Sequence, residues 1–409
     1  FCNSIWNNVL GIFNIFKMKK KIAILGSTGS IGKSTVKIIK SNKKDFEVIF
    51  LSTNTNIKEL YSQSVKLKPK AVIIFNKEKF IKNKKYFLKK KIKVFNSFKK
   101  LKLSIIKTKI DYIMCSISGL AGLDSTIDAI DITKKIAIAN KETIICGWNL
   151  IKKKLIKYNT VFIPVDSEHF SIWSILKSHS IKQVEKIIIT ASGGPFLKYN
   201  LNKLKNVSAK KAIKHPNWKM GKKISVDSAT LMNKVFEIIE AQRIFNIDIK
   251  KFDILIHPNS YVHSIIKFSN GQIKILAHDT DMRIPIFNSI YENELKEIKT
   301  KKININLLNN LRLIKPNTTR YPSIRILRKI NNNNSLFETV LISANDELVE
   351  LYIKNKIKFL EINKILLKIL NNKKYSNLIK KKPKKISDII NLSEDVRLKT
   401  RNLCIQLRK

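Results

Sequence analysis

Three of the chain's 11 glycines fall within seven residues, as Gly26, Gly29 and Gly32 of "GSTGSIG". They follow the β-branched run "KIAIL" and lead into Ile31, Thr35, Ile38 and Ile39 at helical spacing. A strand that turns at once into a helix is the unit of a parallel sheet, so this one stretch already narrows the fold. Glycine here permits a tight turn and lets backbone N–H groups approach a pyrophosphate at a helix N-terminus. The same residues also suit a tight βα turn with no ligand.

The pattern repeats. "EVIFLST" (47–53), "KAVIIF" (70–75), "DYIMCSI" (111–117), "KIAIAN" (135–140) and "TVFIPVD" (160–166) read as strands separated by helical stretches. That predicts an α/β fold with a mostly parallel sheet covered on both faces. After the second strand come Asn54, Thr55 and Asn56, where an NAD enzyme often carries an acid for the ribose 2′-hydroxyl. The lack of an acid favours NADP, yet "STNTN" offers no Arg or Lys for a 2′-phosphate, leaving Lys58 or backbone donors.

Chemistry concentrates in the middle. "PVDSEH" sets Asp166 and Glu168 one residue apart at the end of an apolar run. Read as an extended segment, it places both carboxylates on one side, where they repel unless neutralised. A hard divalent cation would do so; a polar turn after a strand is the equally open alternative. "ITASGGPF" (189–196) runs from a strand into a Ser192–Gly–Gly turn that could expose donors to an anion, or be an ordinary loop. In "KHPNWKMGKKISVDSATLMNKVFEIIEAQRIF" (214–245) the segment from His215 to Lys223 suits a mobile loop carrying Trp218 and Met220 over a ligand. A helix is expected to open near Asp227 and Ser228, with Asn233, Lys234 and Glu237 sharing one face. His215 is the functional histidine candidate; His257 and His263 read as structural.

The formal net charge of +50 raises the question of nucleic acid. Lys outnumbers Arg 71 to 9 and is spread along the whole chain, so it reads as solvated surface lysine rather than a recognition patch. Two local runs, 82–93 and 380–385, could hold polyanions loosely. The four cysteines (Cys2, Cys115, Cys146 and Cys404) show no CxxC pairing, which fits a reducing compartment and argues against a zinc cluster. No apolar run reaches the length of a bilayer span. Residues 1–17 resemble neither a secretory nor an organellar signal and are expected to be an extension outside the fold.

"GSTGSIG", "ANKET", "PVDSEH", "SGGPF", "HPNWKMGKKISVDSATLMNK" and "IHPNSYVHS" together resemble the 1-deoxy-D-xylulose 5-phosphate reductoisomerases of the non-mevalonate isoprenoid pathway. The likeness runs in order from about residue 21 to 285 and continues through "SANDELVE" (343–350). It implies a metal- and NADPH-dependent rearrangement and reduction of 1-deoxy-D-xylulose 5-phosphate to 2-C-methyl-D-erythritol 4-phosphate. A divalent metal (magnesium, manganese or cobalt) would hold the substrate's ketone and hydroxyl oxygens. By resemblance the metal ligands are Asp166, Glu168 and Glu237. The substrate contacts are Lys141, Ser167, Glu168, Ser192, His215, Trp218, Met220, Ser228, Asn233, Lys234 and Glu237, with Lys141, Glu168 and His215 as the catalytic set. The cofactor site is Thr28, Gly29, Ser30, Ile31, Asn54, Asn56, Asn140, Glu142 and Gly221. Many relatives carry a glycine and a basic residue where this chain has Asn54 and Thr55, so the 2′-phosphate contact departs from the family pattern.

The resulting expectation has three parts. Residues 18–166 form a Rossmann-like NADPH-binding domain, 167–291 a catalytic and dimerisation α/β domain with a lid, and 318–409 a helical domain after a linker (292–317). The protein is expected to be a homodimer in a bacterial cytoplasm, a plastid being the lesser alternative, with no specific nucleic acid or membrane partner. Two rivals share parts of this pattern. One is another NADP-dependent oxidoreductase, such as a semialdehyde or homoserine dehydrogenase; the other is a polyanion-binding protein built on a decayed enzyme.

Overall fold

Along β1 (Lys20–Leu25), Ile22 and Ile24 enter one hydrophobic core while Ala23 and Leu25 enter another. A strand buried on both faces needs a layer of helices on each side. In the computed structural model, which describes residues 18–105, 107–218, 220–292 and 294–407, that is what surrounds it. The expected extension, residues 1–17, lies outside the described residues.

Six further strands complete the first sheet: β2 (Phe46–Thr53), β3 (Ala71–Ile74), β4 (Lys93–Phe95), β5 (Ile110–Cys115), β6 (Thr133–Ile138) and β7 (Val161–Pro164). Their order is β4-β3-β2-β1-β5-β6-β7, and every neighbouring pair is parallel. Helices α1 (Ser30–Ser41), α2 (Ile57–Leu67) and α3 (Lys77–Leu88) bury Ile38, Leu60 and Phe87 in the core of Ile22 and Ile24. Helices α4 (Phe98–Ile105), α5 (Leu123–Ala129) and α6 (Lys141–Tyr158) bury Leu101, Leu123 and Ile144 in the other. Each such side chain contributes roughly 1.5–3 kcal/mol by leaving water.

The chain runs outward from β1 to β4 and returns to β5 beside β1. The loops after β1 and β5 therefore diverge and leave a crevice at the carboxyl ends of the strands. Glycine is required in that turn for two reasons. Gly26 has φ +83°, and a Cβ there would lie 2.7 Å from the Ser116 carbonyl oxygen. A Cβ on Gly32 would lie 2.2 Å from the Gly26 carbonyl oxygen, so this glycine lets α1 rest directly on the turn.

The second sheet contains β8 (Val184–Ala191), β9 (Phe252–Ile256), β10 (Val262–Phe268) and β11 (Ile273–Ala277) in the order β11-β10-β8-β9. β8 and β9 are parallel; the other pairings are antiparallel. Before β8 comes α7 (Ser167–Leu176). Between β8 and β9 lie the one-turn helices α8 (Leu201–Leu204) and α9 (Ala209–Ala212), then α10 (Lys222–Ala229) and α11 (Met232–Phe245). Ile172 of α7 and Ile238 and Phe245 of α11 pack with Ile187, Ile254 and Ile266 of the sheet. Helix α12 (Arg283–Tyr291) crosses back to the first sheet, where Ile286 and Ile290 join the core of Ile22.

After α13 (Ile305–Asn309) the chain becomes helical: α14 (Leu336–Ile353), α15 (Phe359–Leu370), α16 (Lys373–Ser376) and α17 (Ile386–Gln406). Ser335 and Glu338 form a capping box that starts α14, and Arg243 of α11 pairs with Glu338. Val340, Leu341 and Leu348 of α14 lie in one core with Ile144 of α6 and Val235 and Phe236 of α11. The carboxyl-terminal helices thus back the two helices that carry Lys141 and Glu237. None of the described helices is long and apolar enough to cross a membrane.

Candidate active site

The segment "DSEH" is not extended. Asp166 is the N-cap of α7, its side chain accepting from the Glu168 N–H at 3.3 Å, and Ser167 to His169 form the first helical turn. Asp166 and Glu168 converge because a capping side chain folds back over the turn it caps. Strand alternation plays no part.

Nor does a helix open at Asp227 and Ser228. Both belong to the last turn of α10, and α11 begins at Met232 after Leu231, which has φ +61°. Asp227 is buried against Lys223 and Asn345 and caps nothing. The kink re-aims the chain so that Asn233, Lys234 and Glu237 face α7.

Carboxylate oxygens of Asp166, Glu168 and Glu237 all lie within 4.8 Å of one another. Two lysines neutralise them. Lys234 Nζ contacts Glu168 and lies 2.5 Å from Glu237 Oε2; Lys141 Nζ contacts Asp166 and lies 3.4 Å from Glu237 Oε1. Asn233 donates to Glu237, and Ser167 Oγ to Glu168. Burial, then the neighbouring Glu168, pushes the Glu237 carboxyl up to about 7. Burial acts on Asp166 in the same direction, but Lys141 and His169 outweigh it and hold that carboxyl well below the usual range. Three hard oxygens at this spacing, two of them from buried residues, fit a divalent cation of the magnesium class.

Behind the acids stands a pair that the sequence reading did not single out. His169 Nε2 lies 2.8 Å from the Glu237 carbonyl oxygen, and Nδ1 lies 3.5 Å from both Asp166 and Glu240. Burial pushes Glu240 up to about 7. Such partners orient ligating carboxylates. His169 ends the "PVDSEH" stretch and was visible there; Glu240 reads as one more helix residue.

Across the cleft, Ser192 Oγ lies 2.9 Å from His215 Nε2. The backbone N–H groups of Asn217 and Trp218 donate to His215 Nδ1 at 3.2 and 3.0 Å. Nδ1 is therefore unprotonated, and the Nε2–H donates to Ser192. Gly194 N–H donates to the same Ser192 Oγ at 3.1 Å. With both acceptor positions used, the serine hydroxyl is left to donate into the cleft. Burial, then Lys234, depresses the His215 imidazole to about 4.

All twelve expected metal and substrate residues line one cleft of about 400 Å³. Of the expected cofactor residues, Ser30, Ile31, Asn140, Glu142 and Gly221 line it as well, whereas Thr28, Gly29, Asn54 and Asn56 lie off its wall. Thr28 instead hydrogen-bonds Thr53 at 2.8 Å, and Asn56 caps α2 by accepting from Glu59 N–H at 3.2 Å. Asn140 likewise caps α6, accepting from Thr143 N–H at 3.1 Å. His263, read from sequence as structural, also lines the cleft. Its ring stacks on His278 at 3.8 Å and meets the edge of Trp218 at 6.0 Å. His257 is structural, held by the Arg312 carbonyl at 3.1 Å. Lys223 was missed because nothing in the sequence separates it from 70 other lysines.

Comparison with known proteins bears directly on this geometry. Three family models match in succession: 1-deoxy-D-xylulose 5-phosphate reductoisomerase over residues 22–147, its C-terminal domain over 162–245, and the DXP reductoisomerase C-terminal domain over 278–399. A curated 1-deoxy-D-xylulose 5-phosphate reductoisomerase from Pelagibacter ubique is 54% identical over 94% of this chain and 100% of its own length. One from a Wolbachia of Brugia malayi is 38% identical over 92% of this chain and 96% of its own length. Among solved structures, the Zymomonas mobilis reductoisomerase in complex with NADPH superposes with a TM-score of 0.84 at 30% identity, covering 94% of this chain and 99% of that one. A DOX-P reductoisomerase in complex with NADPH, fosmidomycin and magnesium gives 0.88 at 26% identity, covering 95% and 99%.

Proposed function

The chain belongs to the 1-deoxy-D-xylulose 5-phosphate reductoisomerase family, and from that premise we propose how its cleft serves the reaction. The protein is an NADPH-dependent reductoisomerase that converts 1-deoxy-D-xylulose 5-phosphate to 2-C-methyl-D-erythritol 4-phosphate in the non-mevalonate pathway, with a divalent metal. The observation that carries the residue roles is the convergence of Asp166, Glu168 and Glu237 opposite the Ser192–His215 pair in one cleft.

Asp166, Glu168 and Glu237 would hold the metal. When bound, the metal supplies Lewis-acid polarisation of the substrate's ketone, and NADPH supplies the hydride. Ser167 and Lys141 stand beside those acids, where they orient the substrate's oxygens; Lys141 brings a positive charge, pushed well above the usual lysine range by Asp166, Glu237 and Glu240 against the opposing effect of burial. At the far end Ser192, Ser228, Asn233 and Lys234 take the phosphate. Ser192 donates its hydroxyl hydrogen, and Lys234 brings a positive charge. Neutral His215 fixes the Ser192 rotamer and, through its Nδ1, ties the Trp218 backbone to the phosphate end. Holding the phosphate thus also positions Trp218 and Met220, which cover the cleft and exclude water.

The cofactor lies along Ser30, Ile31, Asn140, Glu142 and Gly221, at the point where the strand order reverses. Residues 18–166 are the NADPH-binding domain, 167–291 the catalytic and dimerisation domain, and 318–409 the helical domain. The edge strand β11 leaves Ile273 and Ile275 60% and 50% exposed, which supports covering by a second copy in a homodimer. Buried thiols at Cys115 and Cys146 suit a bacterial cytoplasm.

The test is direct. Purified protein with magnesium or manganese should oxidise NADPH when 1-deoxy-D-xylulose 5-phosphate is added. No turnover with either metal would overturn this reading.

A further inference from the structure

Lys223, in the first turn of α10, ties three separate elements together. Its Nζ lies 2.9 Å from Glu142 Oε1 on α6, 2.8 Å from Asp346 Oδ1 on α14, and 3.3 Å from Asp227 Oδ2 one turn along its own helix. Two of the acids are anchored again. Arg397 of α17 donates to Asp346 Oδ2 at 2.6 Å, and Asn345 of α14 donates to Asp227 Oδ1 at 2.8 Å. The acids are largely buried, with side-chain exposures of 14% for Glu142, 2% for Asp227 and 8% for Asp346. Removing Lys223 takes the shared cation from three largely buried carboxylates and leaves Asp346 with Arg397, so the arrangement resists sliding.

We propose that Lys223 is a positioning residue for the reaction: through it the carboxyl-terminal helices α14 and α17 hold α10 against the Glu142 flank of the cleft. This rests on the functional reading above. Helix α10 has eight residues, too few to hold its own position in water, so its placement depends on what it is tied to. Both its ends matter to the site. The segment carrying Trp218 and Met220 enters at its start, and Ser228 leaves at its end. On the other side of the tie, Glu142 follows Lys141 in the first turn of α6, so α10 and the base of the acid cluster are set relative to each other. Burial opposes charge on Lys223, but Asp346, Glu142 and Asp227 push its ammonium well above the usual lysine range.

The experiment compares wild type with Lys223→Met, Lys223→Arg, Asp346→Asn and the Lys223→Met/Asp346→Asn double variant. It reads steady-state kinetics, NADPH Kd by fluorescence, and thermal midpoints. On this proposal Lys223 acts by placing α10 against Glu142, so Lys223→Met should raise KM for both substrates at least about tenfold while kcat stays within about threefold. Lys223→Arg should recover most of that loss. In the Lys223→Met background, Asp346→Asn should add almost nothing, because the two act as one unit. Folded single variants with unchanged KM and NADPH Kd, or losses that simply add in the double variant, overturn the proposal. Should Lys223→Met fail to fold, Arg397→Met leaves Lys223 in place and loosens Asp346, along with a 3.9 Å pairing to Glu347, and unchanged KM values there overturn it equally. If wild-type protein binds NADPH without turnover, the functional reading fails, and the coupling is still decided by the NADPH Kd values.

Discussion

Lys234 and Glu237 sit three residues apart on α11, with Nζ 2.5 Å from Oε2, and the same ammonium reaches Glu168 on α7. The lysine thus joins two carboxylates that belong to helices far apart in sequence, and it also lowers the pKa of His215 on the opposite wall. Acid cluster and phosphate end are electrostatically one site, and changes to either should be separable only by what they leave bound.

Glu237→Gln should cut turnover by roughly 10²-fold or more, since it replaces a charged ligand by a neutral amide of the same shape. NADPH binding should be nearly unchanged, because the Glu237 side chain contacts Asn233, Lys234 and Lys141 and none of the cofactor residues. Near-normal turnover would falsify the metal role of Glu237.

Stripping the protein with a chelator should abolish turnover, and added magnesium or manganese should restore it. The same titration should raise the thermal midpoint, because an ion that binds only the folded cluster stabilises it by about 2.7 kcal/mol at a hundred times its Kd. The gain should be lost in Glu237→Gln. A midpoint indifferent to magnesium in wild type would count against the three-carboxylate site.

Several of these features are legible in the sequence itself. The glycine turn and the βα alternation follow from local periodicity, and the shared face of Asn233, Lys234 and Glu237 from helical spacing. The helical start at Asp166 was also within reach: an acid followed by Ser-Glu and then "HFSIWSIL" is an N-cap pattern, and strand alternation was the wrong period to apply. Asp227 misled for the opposite reason, since a good capping residue was spent in a buried ion pair. Lys223, Glu240 and Asp346 could not have been found, because their meaning lies in partners up to 123 positions away. The sequence likewise does not disclose that α14 shares a core with α6 and α11, since apolar periodicity marks a buried face without naming what buries it.

His215 should titrate near 4 rather than near 6.5, followed by NMR of the ring protons in the unliganded protein. Burial, then Lys234, disfavours its charged form. The unfolded chain therefore binds more protons than the folded one between about 6.5 and 4. Stability from this group is fully present above 6.5 and is lost as pH falls through 4. With the ring neutral throughout, substrate KM should show no break near pH 6.5. A midpoint close to 6.5 would remove the Nε2–H tautomer assigned here and the Ser192 geometry built on it.

The Ser192–Gly193–Gly194 turn is held by shape as much as by hydrogen bonds, and two alanine substitutions can separate these effects. Gly194 has φ +73°, and a Cβ on it would lie 2.6 Å from Ala229 Cα and 2.7 Å from the Ser228 carbonyl oxygen. Gly194→Ala therefore carries both left-handed strain and a collision with the end of α10, where Ser228 is proposed to meet the phosphate. Gly271, in the tight β10–β11 turn, has φ +85° with nothing within 4 Å of a Cβ. Gly271→Ala carries the strain alone, about 1–2 kcal/mol. Both variants should lower the thermal midpoint, but only Gly194→Ala should raise substrate KM, because only there must backbone beside the phosphate residues move. Equal KM values for the two variants would mean that Gly194 serves the fold and not the site.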